Sequence, residues 1–232
     1  MNIGILYNIF VCLACGMASI WVFATIQTKR KKQEIKYSSG LDYFLLMFGF
    51  LWFMIGLRSL LVWMERLEWN ILMFKWVSGP LVYIHLLPGF VYFGWSFFPN
   101  RDNARKLLIG FFTIVCLSAV LVFFQYGFIE GEVTYWGAKH KPNDVANNIF
   151  IFGIFLPAFS MILTDVFRRY KAWRKKGADY ERKLFGFSLG FLVYAVMGVF
   201  DALGKAGGWL MILSRTGITT APLIFYFFST WE

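Results

Sequence analysis

The chain contains seven apolar stretches that are each long enough to cross a lipid bilayer. An apolar helix needs roughly 20 residues to cross the hydrocarbon core, and the bilayer offers the backbone no hydrogen-bond partners, so such spans are helical. The predicted spans are residues 5–26, 41–64, 71–98, 107–129, 149–167, 184–203 and 210–231. The sequence therefore predicts an all-α, polytopic seven-transmembrane-helix bundle, with residues 1–232 forming one domain.

The basic residues are distributed unequally between the two sides of this bundle. Of the 23 Lys and Arg residues, 16 lie in the loops 29–36, 101–106 and 168–183, which follow spans 1, 3 and 5. Four lie in the alternate loops. Cytoplasmic loops carry the excess of Lys and Arg, so the N-terminus is predicted outside and the C-terminus in the cytoplasm. A bacterial inner membrane is the expected location.

Composition excludes several other classes of protein. The chain is 59% hydrophobic and only 16% charged, whereas about a quarter of the residues of a soluble domain are charged. The net charge of +10 follows the topology, so we expect membrane lipid rather than nucleic acid as a partner. The pattern contains no metal-ligand spacing, phosphate loop, catalytic triad or pair of catalytic carboxylates. We therefore predict no cofactor, no metal site and no enzymatic activity.

Polar residues within the spans are the candidate ligand-binding residues, because burying them in a bilayer is costly. With the predicted topology, most of them fall in the outer half of the bundle, and the mid-span histidine lies near the midplane. Asp42 and Asp165 instead fall at the cytoplasmic rim. The candidates are Arg58, His85, Gln125, Asp201, Lys205 and Arg215.

Two interpretations of these residues stay open. In the first, they line a polar cavity that opens to the outside and binds a small anionic or strongly hydrogen-bonding ligand. In the second, Lys205 extends to the interface while Arg58 and Arg215 pair with Asp201 to hold three helices together. Both interpretations predict that the two arginines and Asp201 face one interior space.

Two further segments carry functional hypotheses. Pro80 and Pro88 should kink or loosen span 3, and such breaks serve either a binding site or close packing. The third cytoplasmic loop is predicted to extend spans 5 and 6 as helices joined at Lys176–Gly177. Its basic residues are candidates for contact with a partner protein: Arg168, Arg169, Arg174, Lys175 and Lys176.

The order of these features resembles the N-terminal seven-helix membrane sensor region of bacterial histidine kinases and diguanylate cyclases. The resemblance rests on the predicted topology, on PLVYIHLLPGFVYF followed by the short basic turn PNRDNARK, and on KAWRKKGADYERKLFGFSLGF. It implies a seven-helix sensor fold. Those sensors continue into an output domain, whereas this sequence stops at Trp231–Glu232, so a related protein would either need an output on another polypeptide or have reused the segment as a structural subunit.

Three functions are compatible with these observations. The first is a non-enzymatic sensor or receptor that binds a small ligand from the outer side and signals through a membrane or cytoplasmic partner. The second is a structural subunit that assembles or anchors a larger membrane complex, using the broad aromatic faces that 28 Phe and 10 Trp provide. The third, a small transporter, needs an internal repeat that seven spans do not readily supply.

Overall fold

Seven helical segments of the chain are long and apolar enough to cross a membrane, as predicted. The computed structural model describes residues 2–33, 39–138, 140–177, 179–203 and 209–230. The candidate spans are Ile3–Thr28, Gly40–Trp63, Leu67–Phe97, Asp102–Tyr126, Asp144–Lys176, Glu181–Asp201 and Leu210–Phe228. The protein is thus a multi-pass, all-α membrane bundle.

Spans 1, 2, 4 and 6 are continuous α-helices, whereas spans 3, 5 and 7 are interrupted. The α-helices are α1 (Ile3–Gln33), α2 (Ser39–Trp63), α3 (Leu67–Met73), α4 (Gly79–Ile84), α5 (Leu87–Phe97), α6 (Asp102–Tyr126), α7 (Asp144–Asn148), α8 (Leu156–Lys176), α9 (Asp179–Leu203), α10 (Trp209–Ile218) and α11 (Thr220–Thr230). Two π-helical segments, Phe74–Ser78 in span 3 and Ile149–Phe155 in span 5, complete the helical part.

Span 3 is broken where its prolines predict. The π-helical segment Phe74–Ser78 precedes Pro80, which lies in the first turn of α4. A second break at His85 and Leu86 precedes Pro88, in the first turn of α5. Proline lacks an amide hydrogen and disrupts the helix that precedes it, so it is tolerated at the start of a new helix.

The loop between spans 5 and 6 is a helical hairpin, as the sequence predicts. Helix α8 ends at Lys176, and Gly177 adopts a left-handed conformation with φ 64°. The Gly177 amide donates to the Trp173 carbonyl at 2.8 Å. Glycine favours this conformation because it has no side chain to clash. Helix α9 then begins at Asp179.

The loop between spans 4 and 5, residues 127–143, forms two nested antiparallel strand pairs. Strands β1 (Phe128–Ile129) and β4 (Lys141–Pro142) form the outer pair. Strands β2 (Val133–Thr134) and β3 (Gly137–Ala138) form the inner pair. We call residues 127–143 the hairpin loop. Residue 139 lies outside the described residues.

Each span packs against its neighbours in the chain, and span 7 returns to span 1. Two aromatic clusters fill the bundle. One is centred on Phe44, Phe48, Phe191 and Phe225, from spans 2, 6 and 7. The other lies between spans 3, 4 and 5. We call the end of the bundle that bears the hairpin loop the hairpin end, and the end that bears Arg168 and Arg169 the basic end.

Candidate functional site

Arg58 of α2 lies buried near the hairpin end, only 8% exposed, and all its hydrogen-bond partners are neutral. Its Nε donates to Asn70 Oδ1 at 3.0 Å, and its Nη1 donates to Ser78 Oγ at 3.1 Å. The guanidinium also stacks on Phe74, 4.5 Å from the ring centroid. Phe74 and Ser78 are the two ends of the π-helical segment, so this irregular turn supplies two of the three Arg58 contacts.

Arg215 of α10 is 7% exposed and holds together spans 1, 6 and 7. Its Nε forms an ion pair with Asp201 Oδ1 at 2.9 Å. Its Nη1 donates to Asn8 Oδ1 at 2.8 Å. The expected pairing of Asp201 with one of the two arginines is therefore present. Cys12, one turn below Asn8, contacts the same Asn8 oxygen at 3.4 Å.

The hairpin loop covers this polar region through two hydrogen bonds. Asn8 Nδ2 donates to the Trp136 carbonyl at 3.0 Å and to Ser59 Oγ at 3.2 Å. Asn70 Nδ2 lies 2.9 Å from Nε2 of His140, whose ring is buried between Phe74 and Phe128. The loop is thereby attached to α1 on one side and to α3 on the other.

His140 is held as a neutral imidazole. Burial and, to a smaller extent, the positive charge of Arg58 lower its pKa to about 4. The neutral ring accepts at one nitrogen, either Nδ1 from the Gly131 amide at 3.1 Å or Nε2 from the Asn70 side-chain amide. An imidazolium carries a hydrogen on each nitrogen and accepts from neither donor.

We define the arginine cluster as these six side chains at the hairpin end: Asn8, Arg58, Asn70, His140, Asp201 and Arg215. It contains two guanidinium groups, which lie close enough to repel each other, and one carboxylate. With His140 neutral, its formal charge is +1. Among the described residues, Arg58 has no carboxylate partner, and neither arginine uses its Nη2 in a hydrogen bond. The cluster therefore presents surplus positive charge suited to an anion.

The other predicted ligand-binding residues lie apart from this cluster or outside the described part. His85 is buried at the break in span 3, where its Nδ1 bonds to the Val82 carbonyl at 2.8 Å and its Nε2 to the Tyr194 hydroxyl. Gln125 is exposed on span 4. Lys205 falls outside the described residues.

The basic end contains a second polar network, centred on Asp165. The sequence placed this carboxylate at the cytoplasmic rim, and the structure buries it completely between spans 3, 5 and 6 at the basic end. Ser96 Oγ donates to Asp165 Oδ1 at 2.7 Å, and Ser188 donates to the other carboxylate oxygen. Arg168 bonds to both Asp165 and Ser96 at 2.5 Å.

The predicted partner-binding residues divide into two groups. Arg168 and Arg169 bond to interior groups: Arg168, whose side chain is 38% exposed, to Asp165 and Ser96, and Arg169 to Ser96 Oγ at 2.9 Å and to Glu181 at 3.2 Å. Arg174, Lys175 and Lys176 are exposed at the end of α8, and Lys176 lies 3.8 Å from Glu181. The surface available to a partner is thus the tip of the helical hairpin.

The uncharged members of both networks were not predicted from the sequence. Asn8 and Asn70 orient the arginines, while Ser96 and Ser188 donate to Asp165. An asparagine in the first turns of an otherwise apolar span was the available signal for Asn8. His140 was assigned only to a loop, because nothing in the sequence indicates that the loop folds back onto α3.

The described residues of the arginine cluster do not form a metal site. No group of three or more His, Cys, Asp or Glu side chains there could hold a metal ion. Two surface clefts are lined by other residues. One, of about 380 Å³, lies at the turn from Phe97 to Arg101; the other, of about 290 Å³, is lined by Tyr43, Pro88 and Thr113, among others.

Comparisons with models of known protein families, with curated proteins and with solved structures found no match to this chain.

Proposed function

We propose that the protein is a non-enzymatic membrane sensor that binds a small anion at the arginine cluster and signals through a partner protein at the basic end. The observation that carries this proposal is the buried Arg58, whose partners are neutral and which faces a second arginine. A buried charge without a counter-ion is costly, and an anion that binds there recovers this cost. The resemblance to seven-helix sensor regions is compatible with this function.

Helix α9 is the element best suited to carry a signal between the two ends. It is uninterrupted from Asp179 to Leu203, and its polar residues contact other spans along its whole length. Asp201 pairs with Arg215, Tyr194 bonds to His85, Ser188 bonds to Asp165, and Glu181 pairs with Arg169. An anion that competes with Asp201 for Arg215 would release one end of a rigid helix whose other end holds the α8–α9 hairpin.

Thermal unfolding with and without added anions tests the binding step. The protein is placed in nanodiscs of zwitterionic lipid, and acetate or inorganic phosphate is compared with chloride at equal ionic strength. A ligand that binds only the folded state raises its stability, by about 2.7 kcal/mol at a hundredfold excess over Kd. We expect at least one probe to raise the melting temperature of the wild type.

Matched arginine variants locate the effect. Arg58→Gln should abolish the anion-dependent stabilisation. Arg58→Lys, which keeps the charge, takes its place if the glutamine variant does not fold. Arg66→Gln removes the same charge from an exposed position at the same end and should leave the stabilisation unchanged. No anion effect on the wild type, or an equal effect on Arg58→Gln, would contradict the proposed site.

The second candidate function is a structural subunit of a membrane complex. The observation that favours it is the Arg215–Asp201 ion pair, which joins spans 6 and 7. In addition, the two clefts named above are lined by residues outside the arginine cluster. In that case Arg58→Gln lowers stability equally in chloride, acetate and phosphate. Copurification in mild detergent would then recover stoichiometric membrane subunits.

A further inference from the structure

The hairpin loop sits on the arginine cluster as a cover, attached to the bundle by polar contacts and by the packing of Phe128 on Phe74 and Phe123. On the α3 side the polar contact is His140–Asn70, and on the α1 side it joins the Trp136 carbonyl and Asn8. Two short strand pairs and side-chain hydrogen bonds such as Asn143 Nδ2 to the Gly127 carbonyl stiffen the loop internally. Of the polar contacts that attach it to the bundle, the one at His140 involves a titratable group.

We propose that His140 is a proton-sensitive latch: protonation of its ring releases the hairpin loop and opens the arginine cluster to the solvent. This inference concerns the regulation of access and rests on the proposed function only for its biological use. The latch itself is a property of the loop and can be measured without any ligand.

Burial and the charge of Arg58 oppose a positive charge on His140. Arg58 reaches towards it from α2, bridged by Asn70 of α3. Phe74 and Phe128 pack against the ring and exclude water from it, and the Gly131 amide donates to Nδ1. The nearby carboxylates do not compensate: Glu130 and Glu132 are exposed, while Asp144 pairs with Lys141 at 2.8 Å.

The direction of the pH dependence follows from these contacts. The His140 pKa is about 4 in the closed loop and near its ordinary value of 6.5 when the loop is open. Closure is therefore fully favoured above pH 6.5 and is lost as the pH falls from 6.5 towards 4. A difference of this size changes the ratio of open to closed loop by up to about 300-fold.

Cys12 provides a probe for opening, because it lies one turn below Asn8 and is fully buried. In a Cys15→Ala/Cys116→Ala background it is the single thiol of the chain. The rate at which a membrane-impermeant maleimide labels Cys12 is measured in nanodiscs at pH 7.0. A fixed pH removes the effect of pH on the thiol itself.

A permanent charge at position 140 should open the loop at neutral pH. We expect His140→Lys to be labelled about tenfold faster than the parent, and the uncharged His140→Gln at nearly the parent rate. Val133→Lys adds the same charge at an exposed site of the same loop and should have no effect. Labelling of His140→Lys at the parent rate, or equal acceleration by Val133→Lys, would overturn the latch.

The role of Arg58 is tested by a double-mutant cycle. His140→Lys should accelerate labelling less in an Arg58→Gln background than in the parent, because the repelling partner is gone. Equal acceleration in both backgrounds would contradict the electrostatic part of the proposal.

A measurement on the unsubstituted chain covers the case in which the lysine variant does not fold. Hydrogen exchange of residues 127–143, corrected for the intrinsic pH dependence of exchange, should lose at least about tenfold in protection between pH 7.0 and 4.5. His140→Gln should lose none. If hydrogen-exchange protection of the wild-type loop is the same at pH 7.0 and 4.5, the latch is rejected, whether or not acetate or phosphate binds. If an anion binds but the loop does not open, the proposed function still holds.

Discussion

Single polar residues decide how this bundle holds charge inside a membrane. Asp165 is compensated on all sides, by two serine hydroxyls and by Arg168. Arg215 is compensated by Asp201 and Asn8. Arg58 differs, because its partners are two neutral oxygens and an aromatic ring. This contrast between one fully paired network and one surplus cation is the reason for proposing an anion site at the hairpin end.

Loss of the Asp165 charge should destabilise the protein. Asp165→Asn keeps the shape but leaves Arg168 facing an amide, and one of the serines loses its best acceptor. Breaking a buried pair costs about 3–5 kcal/mol, and the 38% exposed Arg168 reduces this to roughly 2 kcal/mol here. Thermal unfolding in detergent measures the effect.

The exposed pair Lys141–Asp144 is the control for this substitution. Asp144 is 74% exposed, so Asp144→Asn should change stability by less than about 0.5 kcal/mol. Equal melting temperatures for the two variants would show that the Asp165 network contributes nothing to stability.

At the scale of helices, close packing at Gly16 and Gly49 joins spans 1 and 2, in addition to the Asn8–Ser59 hydrogen bond. A Cβ on Gly16 would lie 2.9 Å from the Gly49 carbonyl oxygen, and a Cβ on Gly49 the same distance from the Gly16 oxygen. Small residues let membrane helices approach in this way, and much of their association energy comes from the resulting contact.

A large side chain at this crossing should separate the two helices. We expect Gly16→Leu to lower the melting temperature in detergent by several degrees, because overpacking typically costs 1–3 kcal/mol. Gly110→Leu is the matched control in span 4, since a Cβ there meets nothing within 4 Å. A similar loss in both variants would point to a general effect of leucine in these helices.

Substitutions in the α8–α9 hairpin should separate an effect on partner binding from an effect on stability. Neutralising Arg174, Lys175 and Lys176 to glutamine should reduce recovery of a cross-linked partner from native membranes while leaving the melting temperature nearly unchanged. The pair Arg168→Gln/Arg169→Gln should instead lower the melting temperature, because both arginines bond to the interior. Full partner recovery by the triple variant, correctly inserted, would exclude the hairpin tip as a docking surface.

At the scale of the whole molecule, the seven spans place the hairpin loop and the α8–α9 hairpin at opposite ends of the bundle. The excess of basic residues predicts that the basic end is cytoplasmic. The arginine cluster would then face the outside, where a sensor meets its ligand.

Reporter fusions test this orientation. A fusion at Lys175 should be active for a cytoplasmic reporter, and one at Lys139 for a reporter that works only outside. Fusions at Arg101 and Arg66 provide a second pair on the predicted inner and outer sides. If the Lys175 and Lys139 fusions are active with the same reporter, the seven-span topology is contradicted. If Lys175 is found outside and Lys139 inside, the arginine cluster faces the cytoplasm.

The number and approximate positions of the spans were predictable from the sequence because a bilayer imposes a length and an apolar composition on any helix that crosses it. Their ends were less so: span 5, predicted over 149–167, covers Asp144–Lys176. The break before Pro88 and the helix end at Gly177 were also predictable, because they depend on local backbone chemistry. The presence of a charge inside the membrane also predicts that its side chain faces the interior, as Arg58 and Arg215 do.

Only the tertiary structure decided which partner each charge has. The sequence placed Asp165 at the rim, and only the structure showed that Ser96 and Ser188 reach it from two other spans. His140 looked like an ordinary loop residue until the loop folded back onto Asn70. Uncharged polar residues leave little trace in hydropathy, and contacts between distant segments depend on how the helices are arranged around one another. The sequence by itself determined a seven-helix membrane bundle, whereas the surplus charge at Arg58 and its cover appeared only when those helices were packed together.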